Sequence, residues 1–279
     1  PAMNKNMYSN PAFQQNLAFL KAKAYKIIDA ETGALATNIE GEGKGRLADE
    51  SVILDWIDNY FSQSLPLKGK KVLISAGPTR EYIDQLRFIS NPSSGKMGIA
   101  LAEAAKDLGA DVHLVYGPGS ELPPETINRH DVVTTMDMKN AMLKKYEWAD
   151  IVIMAAAVED IKPVSTFKGK LKKESIPNSL ALETTEDILL ELGIRKKKQI
   201  LLGFSVENED ILENSRKKLE KKKLDFIVIN NPSEPGAGFG VDTNKVIILD
   251  SDNKTIAFPL STKKDIAKKI MLYIKEKKA

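Results

Sequence analysis

Cysteine is absent from the 279 residues, which excludes disulfides, thiolate metal sites and a cysteine nucleophile. Histidine is almost absent: with only His113 and His130, a histidine zinc site would need carboxylate help, and no HExxH-like spacing occurs. Long apolar runs are missing too. None approaches the roughly 20 residues of a membrane span and no stretch reads as a signal peptide, so the cytoplasm is the expected location. Net charge is small, because 41 basic against 38 acidic residues leave only +3, too little to argue for nucleic acid. What remains is ordinary for a globular chain. It is 42% hydrophobic and 28% charged, with a length that fits one large domain or one domain plus an appendage.

Residues 1–66 differ in texture from the remainder. PAMNKNMYSNPAFQQNLAFLKAK opens on turn-formers and continues as a predicted helix, with Phe13, Leu17, Leu20 and Ala24 at helical spacing. A short strand-like stretch is predicted around Ile27–Ile28, then a mobile loop rich in glycine and charge, GALATNIEGEGKGRLADES. ESVILDWIDNYF reads as an amphipathic helix. These pieces hold too few strands for an independent core and read as part of something larger.

From Lys70 the rhythm changes. KKVLISAG, DVHLVYGP, DIVIMAAAV, QILLGFSVE, DFIVINNP and KVIILD are short apolar, β-branched runs. Helical patterns separate most of them: GKMGIALAEAAKDLGA, MKNAMLKKYEWA, TEDILLELG and ENEDILENSRKKLEKKK. Continuous apolar strands alternating with helices predict an α/β fold with a doubly wound, mostly parallel, Rossmann-like sheet. Such sheets bind ligands at the carboxyl ends of their strands, where most of the distinctive residues fall.

After the first run, Gly77-Pro78 ends the strand and a polar loop leads to Ser93-Ser94-Gly95-Lys96, which opens a helix. Backbone N–H groups, two hydroxyls, a flexible glycine and a cation at a helix start suit an anion; the plain alternative is a serine-capped helix. It is not a Walker A loop, since Met97 stands where Ser or Thr should hold magnesium and Ser90 replaces the first glycine. Asn91-Pro92 alone reads as a turn, Ala155-Ala156-Ala157 with Asp160 as tight packing and a cap, and Phe204 as core. The KGKLKKE stretch reads as a solvated basic loop. Lys218 and Lys222 share one helical face and repel each other, a repulsion that a polyphosphate would relieve.

Taken whole, GPTREYIDQLRFISNPSSGKMG resembles the signature of the phosphopantothenoylcysteine synthetase family, the ligase domain of a bifunctional coenzyme A protein. The likeness runs on in order through AAAVEDIKP, KGKLKKE, LLGFSVENE, KKLDFIVINNPS and GFGVDTNKVIIL, over about residues 68–250. It implies that residues 67–279 are a CTP-dependent phosphopantothenate–cysteine ligase domain. The carboxylate of 4′-phosphopantothenate attacks the α-phosphate of CTP, pyrophosphate leaves, and the cysteine amine displaces CMP from the acyl-cytidylate. Such chemistry needs positioning and charge neutralisation more than covalent help, which a cysteine-free chain can supply.

The resemblance also implies roles. Asn91 would contact the acyl-cytidylate through a neutral amide, and Arg87 would supply a fork for an anionic oxygen. Lys170, on a loop over the site, would neutralise charge growing on the α-phosphate. Ala155 and Ala156 would let the base approach the backbone, Asp160 would accept from the cytosine amino group, and Phe204 would line the pocket. Met154, Glu186, Asp187, Ile188, Leu189, Lys218 and Lys222 complete the implied CTP set, while Gly77, Ser93, Ser94, Gly95 and Lys96 would bind phosphate or substrate. Magnesium is expected on the triphosphate, with no ligands assigned, and the family forms dimers through this domain.

PAMN with MYSNPAFQQN resembles the closing part of the flavin-dependent decarboxylase domain that precedes the ligase in the bifunctional protein. Asn4 would then contact a substrate carboxylate, and GEGKGR with Arg46 would belong to the flap. That flap carries a proton-donating cysteine in the family, where Ala36-Thr37-Asn38 stand here, and the flavin-binding strands would precede Pro1. Residues 1–66 are therefore expected to be a partial flavoprotein-domain fragment without decarboxylase activity, and FMN to belong to the full-length protein alone. Two other readings compete with the ligase. A nicotinamide oxidoreductase on a similar sheet lacks its GxGxxG turn, and a decayed nucleotide-binding module would not need the asparagine, arginine and loop lysine that are present.

Overall fold

The computed structural model describes residues 2–23, 25–35, 41–63, 65–206, 210–230, 234, 236–238 and 240–278. Ala24 and the Ala36–Asn38 stretch singled out in the sequence lie outside them. The chain divides into two units, Pro1–Leu65 and Pro66–Ala279.

In the first unit, Asn4 and Asn10 cap helices Lys5–Tyr8 and Pro11–Ala22, each side chain accepting a backbone N–H of the first turn. Ile27–Ile28 forms no strand. Asp29 beside it takes the Tyr8 hydroxyl and the Ala30 N–H on one carboxylate oxygen, local bonds that compete with a ladder. The glycine-rich stretch is not all loop either: Glu31–Ala34 and Glu42–Arg46 pair as an antiparallel ribbon. Cross-strand bonds hold that ribbon despite its weak strand formers. Helix Glu50–Gln63 follows, with Val52, Leu54, Ile57, Tyr60 and Phe61 exposed.

The second unit holds strands β1 (Lys71–Ala76), β2 (Asp111–Tyr116), β3 (Asn128–Asp131), β4 (Ile151–Met154), β5 (Ile200–Val206), β6 (Phe226–Asn230), β7 (Thr243–Asp250) and β8 (Thr255–Thr262). They form one sheet in the order β8-β7-β6-β5-β4-β1-β2-β3, parallel from β3 to β6 and antiparallel at β7 and β8. All six apolar runs of the sequence are in it. The two edge strands gave weaker signals: β3 is NRHD, polar and exposed, and β8 carries Pro259, which an edge tolerates.

Five helices cover the sheet: α1 (Lys96–Asp107), α2 (Thr135–Tyr146), α3 (Ile188–Arg195), α4 (Ile211–Lys221) and α5 (Lys263–Lys278). Val72, Ile74 and Ala76 of β1 point to the face covered by α1 and α5, where Leu101, Ala105, Ile266 and Ile270 are buried. Leu73 points to the other face, against Met138, Met142, Leu192 and Leu219 of α2, α3 and α4. Burial on both sides explains why the parallel strands are apolar throughout. The chain runs outward from β1 to β2 and β3, then returns to place β4 on the opposite side of β1. That reversal opens a crevice beyond the carboxyl ends of β1 and β4.

Candidate active site

Close backbone approaches build the floor of the crevice. Gly77, with φ +78°, sits where a Cβ would meet Gly117 O at 2.5 Å, and its carbonyl accepts the Ala157 N–H. Gly77 therefore shapes the floor and lines neither of the two cavities above it. The Thr79 hydroxyl lies 3.1 Å from that of Thr135 and accepts the Glu159 N–H at 2.8 Å, while Glu81 Oε1 accepts the Thr135 N–H at 2.7 Å. These buried bonds pin the segment after β1 to that after β4. Burial, then the neighbouring Asp160 charge, push the Glu159 carboxyl up.

The larger cavity, about 420 Å³, runs over the ends of β4 and β5. Met154, Ala156 and Asp160 line it from the β4 side, with Asn91; Glu186, Asp187, Ile188 and Leu189 line it from the start of α3; Phe204, Lys218 and Lys222 line it from β5 and α4. Ten of the twelve residues assigned to CTP thus meet in one cleft, Ala155 and Lys170 being the others. Lys218 donates to Ser205 Oγ at 3.1 Å. Lys222 pairs with Asp187 at 2.8 Å, and Asp187 also caps α3 by accepting the Leu190 N–H. The repulsion expected between the two lysines is thus already relieved at Lys222. Asn91 donates its amide to Val158 O at 3.2 Å, which fixes it at the cleft wall.

The smaller cavity, about 130 Å³, lies at the start of α1 and is lined by Ser93, Ser94, Gly95, Lys96 and Ala155. Both cavities are lined by Ala156, Ala157 and Phe204, so they lie side by side. Gly95 adopts φ +87° as the cap of α1, and the hydroxyls of Ser93 and Ser94 accept the Gly95 and Lys96 N–H groups at 3.4 Å. At that length the bonds are weak, which leaves the helix start open to an anion.

Arg87 and Lys170 line neither cavity. Arg87 and Leu171, the neighbour of Lys170, both attach to Asp84, a residue without a distinctive sequence signal. Its buried carboxylate accepts the Leu86 and Arg87 N–H groups, the Arg87 guanidinium at 2.9 Å, and the Leu171 N–H at 3.1 Å. The Arg87 and Leu86 backbone bonds lead in holding its pKa down. Arg87 also donates to Leu171 O, so it braces the loop that carries exposed Lys170 rather than facing the cleft. In the first unit, Asn4 spends its side-chain oxygen on a helix cap and Arg46 pairs with Asp49. Among the described residues no His, Cys, Asp and Glu cluster could hold a metal ion. No helix of the described residues is long and apolar enough to cross a membrane.

Residues 67–277 match the family described as DNA/pantothenate metabolism flavoprotein C-terminal domain, and residues 1–62 match the Flavoprotein family. A curated relative, the coenzyme A biosynthesis bifunctional protein CoaBC of Bacillus subtilis, is 45% identical over 274 residues, covering 97% of this chain and 67% of its own. A protein named cysteine/cysteine sulfinic acid decarboxylase, from an unknown prokaryotic organism, is 44% identical over 97% of this chain and 77% of its own. The crystal structure of the C-terminal domain of a CoaBC protein superposes with a TM-score of 0.66 at 40% identity, covering 76% of this chain and 97% of that one. A Cab2 mutant in complex with phosphopantothenate-cysteine shares the fold at 18% identity, with a TM-score of 0.54 over 82% of this chain and 93% of its own.

Proposed function

The chain belongs to the DNA/pantothenate metabolism flavoprotein C-terminal domain family, and from that premise we propose that it ligates cysteine to 4′-phosphopantothenate in coenzyme A biosynthesis, using CTP. The observation that carries this reading is the pair of adjacent cavities at the sheet's reversal point, both lined by Ala156, Ala157 and Phe204. One offers a base-sized cleft with lysines, the other a helix start suited to an anion. A two-substrate reaction at phosphorus needs that juxtaposition.

The cytosine ring lies over Ala156 with its amino group toward Asp160, and the triphosphate runs toward Lys218 and Lys222. The pantothenate carboxylate reaches the α-phosphate beside Asn91, pyrophosphate leaves, and the Asn91 amide holds the acyl-cytidylate while the cysteine amine attacks and CMP departs. Lys170 acts when its loop closes. Magnesium carried by the triphosphate would offset phosphate charge. FMN belongs to the longer bifunctional proteins, and the ligase works as a cytoplasmic homodimer. Radiolabelled CTP incubated with 4′-phosphopantothenate and no cysteine tests the reading: a labelled acyl-cytidylate accumulates. No labelled adduct and no pyrophosphate release would overturn it.

A further inference from the structure

The cation that the sequence assigns to the α1 start is committed elsewhere. Lys96 Nζ lies 2.7 Å from Asp242 Oδ1 and 3.4 Å from Glu121 Oε1, and it also donates to Gly240 O. Two carboxylates match its single charge. A different lysine enters the same cavity without an ion pair of its own among the described residues. Lys263, the first residue of α5, is 7% exposed, and among the described residues no carboxylate stands within ion-pair range of its ammonium. It donates to Val241 O at 2.6 Å and to Gly238 O at 3.4 Å, which leaves a third ammonium hydrogen unassigned. Burial, then the nearby Lys96 charge, push its pKa down, and the Asp242 carboxylate, already paired with Lys96, offsets this only in part.

A second group in the cavity is also unsatisfied. Asn230, at the end of β6, lines it with a buried side-chain oxygen that has no hydrogen-bond partner. A buried ammonium with no carboxylate of its own and an orphaned amide oxygen in one small space are costly until a ligand rich in acceptor oxygens enters and the amide turns to donate. The volume, about 130 Å³, suits a phosphate group and not a nucleotide. The lysines of α4 already serve the larger cleft.

We propose that Lys263, not Lys96, supplies the positive charge that binds the phosphomonoester of 4′-phosphopantothenate, with Asn230 and the N–H groups of the α1 start completing the site. This inference rests on the ligase reading. Lys96 then acts as a strut, fastening the α1 start to Gly240 and Asp242.

Calorimetry on the full chain tests it with 4′-phosphopantothenate, pantothenate and CTP as separate ligands. Lys263→Met is expected to weaken 4′-phosphopantothenate by about 10- to 100-fold while pantothenate and CTP stay within about twofold. An equal loss for pantothenate would make Lys263 structural, a loss confined to CTP would assign it to the triphosphate, and no loss would remove it from binding; each overturns the proposal. Because the chain has no cysteine, Lys263→Cys treated with 2-bromoethylamine restores an ammonium at that position alone. Recovery of 4′-phosphopantothenate affinity is expected, and a folded, aminoethylated protein without recovery refutes the assignment. If the wild type forms acyl-cytidylate while Lys263→Met binds normally, this inference fails and the ligase reading stands. If the wild type forms none, the ligase reading itself has failed.

Discussion

At the scale of single residues, Asn91 shows how a side chain with an unremarkable local pattern becomes a candidate for chemistry. Its amide donates to Val158 O, so a carboxylate there would face a carbonyl and add negative charge beside an anionic intermediate. Asn91→Asp is expected to lower turnover by roughly two to three decades, the range for losing one fixed donor, with the fold retained. Unchanged single-turnover rates for both half-reactions would exclude it. A second prediction concerns Asp29, whose pKa is lowered to about 2, first by the Tyr8 hydroxyl and then by Lys21. A depressed carboxyl contributes stability that is present above its unfolded value, near 3.8, and is lost as pH falls through about 2. Carboxyl-carbon NMR should place the Asp29 midpoint near the lower value, and Tyr8→Phe should move it up. Residues of this kind divide by legibility. The resemblance singled out Asn91, Asp160 and Phe204, which line one cleft, whereas Asp84 and Lys263 carried no signal. Their importance comes from what folding brings to them, a distant loop N–H and an anion-sized cavity, and neither has a local spacing.

Elements carry their own signals. The six apolar strands and the main helices of the second unit could be read from hydrophobic runs, because strands buried on both faces need no polar alternation. Gly98 belongs to the same level. A Cβ there would sit 2.3 Å from Ala76 Cβ, so its hydrogen is what lets α1 lie on β1. Gly98→Ala is expected to cost about 1–3 kcal/mol by overpacking, read from denaturant midpoints at unchanged m. The Lys170 loop is held at two points, Phe167 N–H to Ile83 O and Leu171 N–H to Asp84, with Lys170 exposed between them. A cation delivered by closure of such a segment acts mainly on charge that grows in the transition state. Lys170→Ala should therefore depress kcat by roughly two to three decades while CTP affinity changes far less. If affinity collapses and the chemical step at saturating CTP is untouched, Lys170 only binds.

For the whole molecule, the two units differ in what they contain. Every residue that lines the two cavities lies between Asn91 and Lys263, within Pro66–Ala279. That unit has both faces of its sheet covered by its own helices, so it holds a core sufficient for independent folding. The first unit has one two-stranded ribbon and a helix with five large apolar side chains exposed, and its apolar Ile27–Ile28 pair finds no strand partner among the described residues. A homologous C-terminal domain has been crystallised by itself. Residues 66–279 alone are accordingly expected to form the acyl-cytidylate and complete the ligation with kcat/KM for CTP within about threefold of the full chain, a difference below 1 kcal/mol. Steady-state kinetics on the two proteins, with circular dichroism as the folding control, decide the matter. A folded but inactive 66–279 would mean that the first unit supplies a group to the reaction, and the assignment of the whole site to one unit would have to be abandoned.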